Sequence, residues 1–174
     1  MTKELQNVWL GVDVAKASKP IVEAITQNIE EVFANQWIEV KVKRDPHMTF
    51  GYFQTIRQED LAKVLWAIHD LKEKHTDTQL VNTALDFDQT MHKLELWESN
   101  VNDQLYIVLR PHNPSPVFSE FIQQENISPH ISLAKVSGSK DQIEELLSEI
   151  KTYRDTLIHD SSITVDLSKV HISF

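Results

Sequence analysis

The stretch that decides the fold is Ser128-Pro129-His130-Ile131-Ser132-Leu133, and an earlier stretch, Asp45-Pro46-His47-Met48-Thr49-Phe50, repeats its pattern. Both read proline, histidine, apolar, hydroxyl, apolar. Side chains alternate between the two faces of a β-strand, so each strand is expected to carry its histidine and hydroxyl on one face and its apolar pair on the other. An imidazole beside a hydroxyl is suited to proton transfer, and two copies could hold a phosphate from opposite sides.

Chance does not account for this repetition. The histidine, apolar and hydroxyl content of the chain predicts about 0.2 accidental matches to the pattern His-apolar-hydroxyl-apolar. Three occur, and the third is His171-Ile172-Ser173-Phe174. It has no preceding proline and no helix after it. We therefore interpret it as a closing strand and His171 as a structural residue, although such a strand could still approach a cleft.

The residues after the first two motifs also match. Thr55 with Gln58, and Ser139 with Gln142, are typical of the capping box that starts a helix. Apolar residues then recur at helical spacing in both copies: Leu61, Val64, Leu65, Ile68 and Leu71, and Ile143, Leu146, Leu147 and Ile150. The repeated unit is therefore a proline, a histidine strand, a short turn and an amphipathic helix.

The rest of the chain adds strands and helices around these units. Apolar runs and alternation predict strands over 8–14, 38–43, 80–87, 93–97, 105–109 and 163–174. Cap and proline signals predict helices from Ser18 to Asn35, from Asn113-Pro114 with Val117, Phe118, Phe121 and Ile122 as its apolar side, and from Asp141 to Tyr153. The pattern predicts one α+β domain over residues 1–174, built from two similar lobes.

Composition limits the function. A net charge of −9 and a pI near 5.3 argue against broad binding along a nucleic-acid backbone. Lys41, Lys43 and Arg44, directly before the first motif, leave a local basic pocket open. The absence of cysteine excludes disulfides, a thiolate nucleophile and cysteine metal sites, and three dispersed glycines do not make a phosphate-binding loop. Side chains must therefore hold any phosphate.

The sequence also predicts no targeting segment, no membrane span and no metal ligands. The first residues lack the order of a secretion signal, and no apolar run reaches membrane-spanning length, so we expect a cytoplasmic protein, as a monomer, without a membrane partner. Five further histidines show no metal-ligand spacing: His69, His75, His92, His112 and His159. Asp86 and Asp88 are interpreted as a solvated edge. We expect no metal and no cofactor.

The two motifs and their order with the helices resemble the 2H phosphoesterase superfamily, which includes 2'-5' RNA ligase-like proteins and cyclic nucleotide phosphodiesterases. The resemblance covers nearly the whole chain in the order of its elements, but its specific part is the two tetrapeptides and their prolines. It implies a bilobal pseudo-twofold fold, each lobe an antiparallel sheet flanked by helices, with a cleft between the two motif strands.

The resemblance also implies roles for four residues. His47 and His130 would be the catalytic pair, and Thr49 and Ser132 the phosphate-binding hydroxyls. Splitting a phosphodiester needs one group to take a proton and another to give one, and an imidazole titrates near neutrality and can do either. The sequence leaves open which histidine is the base. The implied substrate is a 2',3'-cyclic phosphate or a 2'-linked phosphodiester of a small nucleotide, an oligonucleotide or an RNA end.

Five further residues are candidates for binding substrate: Tyr52, Lys135, Lys41, Lys43 and Arg44. Tyr52 could stack on a base. In a regular strand Lys135 would lie on the face opposite His130, so it reaches a phosphate only if a bulge intervenes.

Other functions remain open at this point. Within the phosphodiesterases, processing of RNA ends competes with degradation of signalling 2'-5' or cyclic oligonucleotides. A nucleotide-binding module without turnover would bind ligand only. A histidine-ligated metal protein would lose activity with a chelator.

Overall fold

Strands and amphipathic helices alternate along the chain. The computed structural model describes residues 3–81, 83–86, 94–98, 104–110, 113–114, 130–160 and 163–173. The strands are β1 (Glu4–Val14), β2 (Glu39–Val42), β3 (His47–Arg57), β4 (Thr83–Asp86), β5 (Leu94–Glu98), β6 (Leu105–Leu109), β7 (Asn113–Pro114), β8 (His130–Ser137) and β9 (Thr164–Ser173). The helices are α1 (Lys19–Ala34), α2 (Gln58–Glu73), α3 (Asp77–Val81) and α4 (Lys140–Asp160), with a 3-10 turn at Lys16–Ser18. The predicted α+β class is confirmed.

The described strands form one antiparallel sheet in the order β5-β6-β8-β3-β1-β9-β4-β7, with β2 also paired to β8. One face of this sheet is covered by helices. Apolar residues of α1, α2 and α4, such as Phe33, Ile68 and Ile143, pack there against Leu10, Met48, Ile131 and other buried residues of the strands. Burial of this apolar surface stabilises the fold. The opposite face of the sheet, which these helices do not cover, is called the open face.

The sheet has two lobes that meet where β3 pairs with β8. The first-motif lobe contains β1, β3, β4, β7 and β9, and the second-motif lobe contains β2, β5, β6 and β8. The lobes are not the two halves of the chain. β2, from the first half, pairs with β8 in the second-motif lobe, and β9, from the second half, pairs with β1 in the first-motif lobe. The two lobes are therefore tied together by exchanged strands.

Both motif strands contain a bulge at the same position of the motif. On β3, Gly51 pairs with Leu10 but Thr49 pairs with Gly11, so Phe50 is the extra residue. On β8, the register with β6 shifts in the same way, and Leu133 is the extra residue. A bulge places two successive residues on the same side of the strand and reverses the alternation beyond it. Residues five positions after each histidine therefore return to the histidine face.

One of the two predicted capping boxes is wrong. β3 continues through Thr55, which pairs with Gln6, and α2 begins only at Gln58 after Arg57. A helix that started at Thr55 would break the backbone hydrogen bonds between the end of β3 and β1. Those backbone groups would then need other partners, so the strand persists to Arg57. The second helix starts at Lys140 as its pattern predicts, and the carbonyl of Ser139 accepts the hydrogen bond from the amide of Ile143.

Two further predictions differ from the structure. Leu80 and Val81 end the short helix α3, and the strand predicted from Leu80 begins at Thr83. Asn113–Pro114 does not start a helix but forms β7, which pairs with β4 through Leu85 and Asp86. Proline is tolerated there because it lies on an edge strand. The apolar residues predicted for that helix, Val117, Phe118, Phe121 and Ile122, lie outside the described residues, as do Asp88, His92 and His112.

Among the helices described here, none is both long enough and apolar enough to cross a bilayer.

Candidate active site

The open face of the sheet carries the histidine and hydroxyl of both motifs. The apolar partners are on the helix side, where they are at most 2% exposed: Met48, Phe50, Ile131 and Leu133. The polar members are exposed or half-buried: His47, Thr49, His130 and Ser132. The alternation expected from the sequence therefore holds in both strands, and the structure brings all four residues to one face.

The two motif strands are direct neighbours. Thr49 pairs with His130 and Met48 with Ile131. Continuing this register by one residue sets His47 opposite Ser132, so each histidine faces the hydroxyl of the other motif. This arrangement has a local twofold axis between Met48 and Ile131. His47 and His130 occupy diagonal positions, for which the Cα atoms are about 7–8 Å apart.

In the first motif, His47 is held by a carboxylate. Nδ1 of His47 lies 2.7 Å from Oδ1 of Asp13, its register partner on β1. The other oxygen of Asp13 lies 3.1 Å from Nε2 of His171 on β9. The two imidazole centroids are 5.8 Å apart. The three side chains are 41% to 44% exposed, so this triad borders solvent.

The protonation of Asp13 decides how the triad works. Burial acts to raise the pKa of its carboxyl, but the hydrogen bonds and charges of His171, and then of His47, outweigh burial and hold the pKa below its ordinary value of 3.8. An ionised carboxylate only accepts hydrogen bonds, so Nδ1 of His47 is the donor to it. Nε2 of His47 is then the nitrogen available to a substrate.

Trp9 positions the hydroxyl of the first motif. Its indole N–H donates a hydrogen bond of 2.8 Å to Oγ1 of Thr49, and its ring meets His47 edge-on at 5.9 Å between centroids. Gly11 makes room for the ring, since a Cβ there would lie 2.3 Å from Cζ2 of Trp9. Because Oγ1 of Thr49 accepts this hydrogen bond, its own hydroxyl hydrogen can be donated to another group.

In the second motif, His130 lies against an indole. The rings of His130 and Trp97 are 4.5 Å apart between centroids and tilted by 52°. Trp97 is fixed in turn by its N–H, which donates to Glu95 at 2.8 Å, and Glu95 also accepts a hydrogen bond of 2.9 Å from Arg110. The carboxylate of Glu95 is thus neutralised by Arg110 rather than facing the site as an unbalanced charge.

The two bulges bring Tyr52 and Lys135 to the open face. Tyr52 pairs with Trp9, and its hydroxyl donates a hydrogen bond of 2.7 Å to Asn7. Lys135 pairs with Lys41 on β2, and opposite residues of an antiparallel pair point to the same side. The bulge on which the role of Lys135 depends is therefore present, and Lys41 lies beside it.

Lys43 and Arg44 occupy a different place. Both are exposed in the segment between β2 and β3, where they line a groove of about 400 Å³ together with Val42 and residues of α1: Glu23, Thr26, Gln27 and Glu30. This groove is on the helix side of the sheet. The backbone amide of Lys43 also donates a hydrogen bond of 2.8 Å to the carbonyl of Leu133 on β8.

Sequence analysis did not identify three residues of the site: Asp13, Trp9 and Trp97. Asp13 had a signal, because it is the only charged residue in the apolar run from Val8 to Val14. His171 was interpreted as structural, and the structure places it on the open face in contact with Asp13. Pairing between distant strands makes these contacts, and a single strand pattern does not reveal its neighbours.

The acidic and histidine residues were also searched for metal geometry. Within the described ranges, no group of three or more histidine, cysteine, aspartate or glutamate side chains is arranged to hold a metal ion. His69, on α2, faces Glu73 and Trp66 on the surface, away from the triad.

Comparison with solved structures identifies this fold. The chain is similar to Usb1 of Kluyveromyces marxianus solved with uridine monophosphate, with a TM-score of 0.55, 8% identity and coverage of 96% of this chain and 97% of that one. A second structure of Usb1 from the same organism gives a TM-score of 0.51 at 10% identity with the same coverage. No protein-family model and no curated protein matches the sequence. The likeness establishes a 2H phosphoesterase-like fold.

Proposed function

We propose that this chain is a metal-independent phosphodiesterase of the 2H phosphoesterase superfamily. Its substrate is a 2',3'-cyclic phosphate or a 2'-5' phosphodiester of a nucleotide, an oligonucleotide or an RNA end. The observation that carries the proposal is the pairing of the two motifs, in which Thr49 lies opposite His130 on the open face. This pairing relates two imidazoles and two hydroxyls by a local twofold axis on one face of the sheet, and we propose that they bind one phosphate between them.

Each motif residue has a part in the reaction. One imidazole takes a proton from water, or from a ribose hydroxyl, as this oxygen attacks phosphorus. The bond between phosphorus and the departing ribose oxygen then breaks, and the second imidazole gives that oxygen a proton. Thr49 and Ser132 donate hydrogen bonds to the non-bridging oxygens, where negative charge increases. Proton exchange with solvent restores both imidazoles.

The geometry favours His47 as the base of a hydrolytic step. With Nδ1 donating to the ionised Asp13, the neutral imidazole carries its lone pair on Nε2, and Asp13 stabilises the imidazolium that forms. His130 is then the acid. In the reverse reaction, in which the phosphodiester bond forms again, His130 acts as the base and His47 as the acid.

Aromatic residues on the open face support a nucleotide as substrate. Trp9 and Tyr52 lie beside the first motif, and Trp97 lies beside the second. Stacking on such rings is a common way to bind unpaired bases. The similar fold of Usb1, which was solved with uridine monophosphate, agrees with this choice.

The test is to replace His47 and His130 singly with alanine. Both side chains border solvent, so the variants are expected to fold, and each is expected to lose about 10²–10⁴-fold in turnover, the range for general acid-base catalysis. His69→Ala, on the surface of α2, is the matched control. Activity is measured on 2',3'-cyclic, 2'-5' and 3'-5' substrates, with and without a chelator.

Three results would count against the proposal. Full activity of either motif variant would remove that histidine from the chemistry. Binding of nucleotides without turnover of any substrate would indicate a binding module. Loss of activity with the chelator, restored by a divalent metal, would indicate a metalloenzyme.

A further inference from the structure

One row of residues crosses the second-motif lobe just beyond the second motif. Trp97 pairs with Tyr106, Tyr106 with Lys135, and Lys135 with Lys41, across β5, β6, β8 and β2. We call these four residues the aromatic-lysine row. Opposite residues in antiparallel pairs point to the same side of a sheet, so all four side chains share one face.

That face is the one that carries His130 and Ser132. The contact between the rings of Trp97 and His130 places the first member of the row beside the second motif. At the other end, the bulge at Leu133 returns Lys135 to the histidine face, with Leu133 and Ala134 both fully buried on the helix side. The row therefore continues the candidate active site and is not a separate surface.

The row is positively charged in a chain whose net charge is −9. Among the residues that the structure describes, none makes an ion pair with Lys41 or Lys135. Glu95, an acidic neighbour on this face, is already bound by Arg110. Glu39, two residues before Lys41 and on the same side of β2, limits the basic stretch at its far end. Two adjacent ammonium groups suit one phosphate.

The corresponding row of the first-motif lobe has no cation. There, Tyr52 takes the position of Lys135, five residues after its histidine, and its neighbours across the sheet are Trp9 and Ser173. Both rows therefore carry aromatic side chains, but of the two only the aromatic-lysine row carries lysines. This asymmetry gives a bound nucleotide chain a direction.

We infer that the aromatic-lysine row binds the second phosphate and an adjacent base of an oligonucleotide whose reacting phosphate lies between the motifs. The inference rests on the proposed function. The β6 partners of Ser132 and Lys135 are Val108 and Tyr106, which are two residues apart, so the row lies about 7 Å from Ser132. This distance is comparable with the separation of successive phosphates in a nucleic acid. Tyr106 offers a ring for the base, and Lys41 and Lys135 offer charge to the phosphate. The preferred substrate class is thus an oligonucleotide and not a mononucleotide.

The experiment compares two substrates that differ only in length: uridine 2',3'-cyclic phosphate and hexauridylate ending in the same cyclic phosphate. The double variant Lys41→Ala/Lys135→Ala is expected to raise KM about tenfold for the hexanucleotide and to leave the mononucleotide unchanged. The slope of log KM against log salt is expected to fall by about 1.4 for the hexanucleotide, or about 0.7 for each lysine. Lys63→Ala/Lys74→Ala, at α2, is the charge-matched control, and arginine at both row positions is expected to restore binding.

Equal effects on both substrates, or no effect on either, would overturn the inference. If the parent protein cleaves neither of these substrates nor a 2'-5' phosphodiester, the proposed function fails, and fluorescence anisotropy with labelled hexauridylate 3'-phosphate still decides the role of the row. Weaker binding by Lys41→Ala/Lys135→Ala than by the control Lys63→Ala/Lys74→Ala supports the subsite. Unchanged binding, or no binding by the parent, rejects it.

Discussion

The two motifs have the same pattern, the same bulge and the same place in the sheet, but different neighbours. His47 donates to the carboxylate of Asp13, which also contacts His171. His130 lies against the ring of Trp97. The carboxylate of Asp13 fixes both the orientation and the tautomer of His47. The repeat thus provides a symmetric scaffold with different neighbours, and under the proposed function the carboxylate beside His47 assigns this histidine the role of base.

Asp13→Asn tests this division most strongly. The amide of asparagine can donate to Nδ1 of His47 and favour the tautomer with hydrogen on Nε2, which cannot act as a base. Turnover is expected to fall about 10²–10³-fold, with little change in KM or in the melting temperature. Nitrogen NMR of labelled histidine is expected to show hydrogen on Nδ1 of His47 in the parent and on Nε2 in the variant.

Asp166→Asn is the matched control for this variant. Asp166 is the register partner of Asp13 on β9, and it accepts hydrogen bonds from Ser168, which the oxygen of asparagine can still accept. If Asp13→Asn kept turnover within threefold of the parent, the carboxylate would have no part in the difference between the motifs.

The sequence predicts the four motif residues because their information is local. Alternation along each strand separates His47 and Thr49 from Met48 and Phe50 without knowledge of any other strand. The position of Lys135 depends on a bulge that the pattern around Leu133 does not signal. To predict the contact between Asp13 and His47, one must know that β1 pairs with β3. One must also know how the bulge at Phe50 shifts the register of this pair. These facts depend on pairing between distant parts of the chain.

The strand exchange between the lobes is also not predictable locally. β2 has the alternation of any half-exposed strand, and only its pairing with β8 places Lys41 beside Lys135. The helix predicted at Asn113-Pro114 was wrong for a related reason, because cap followed by proline is a local signal and the pairing with β4 overrides it.

Gly11→Ala sharpens the comparison at the hydroxyl of the first motif. A methyl group there would lie 2.3 Å from Trp9, so the indole must move and its hydrogen bond to Thr49 is lost. The expected loss in kcat/KM is about fivefold, which corresponds to about 1 kcal/mol for one hydrogen bond. Stability is expected to fall as well, because the same Cβ lies 3.0 Å from the backbone oxygen of Met48, so the kinetics are compared on the folded enzyme.

Gly51→Ala provides the contrast. A Cβ at that position meets the side chain of Leu10 at 3.2 Å on the helix side. Overpacking there is expected to lower stability by about 1–3 kcal/mol in urea unfolding and to leave the kinetics of the folded enzyme near those of the parent. If Gly11→Ala behaved in the same way as Gly51→Ala, Trp9 would have only a structural role.

The smallest expected effect comes from His171→Ala. His47 keeps its hydrogen bond to the other oxygen of Asp13, so turnover is expected to fall only about threefold. The clearer readout is the carboxyl group itself. His171 contributes more than His47 to lowering the pKa of Asp13 against the opposing effect of burial, so removing His171 is expected to raise this pKa more than His47→Ala does. Carbon NMR of the Asp13 carboxyl measures both shifts.

The same change alters stability in acid. Because the pKa of Asp13 is lower in the folded protein than in the unfolded chain, its ionised form stabilises the fold above the ordinary value of 3.8, and this contribution is lost as the pH falls through the folded pKa. In His171→Ala the two pKa values approach each other, so this acid-dependent part of the unfolding free energy is expected to shrink, while His69→Ala retains it. An unchanged acid profile together with an unchanged carboxyl pKa would mean that His171 only borders the site, and that His47 alone holds the carboxylate in its ionised form.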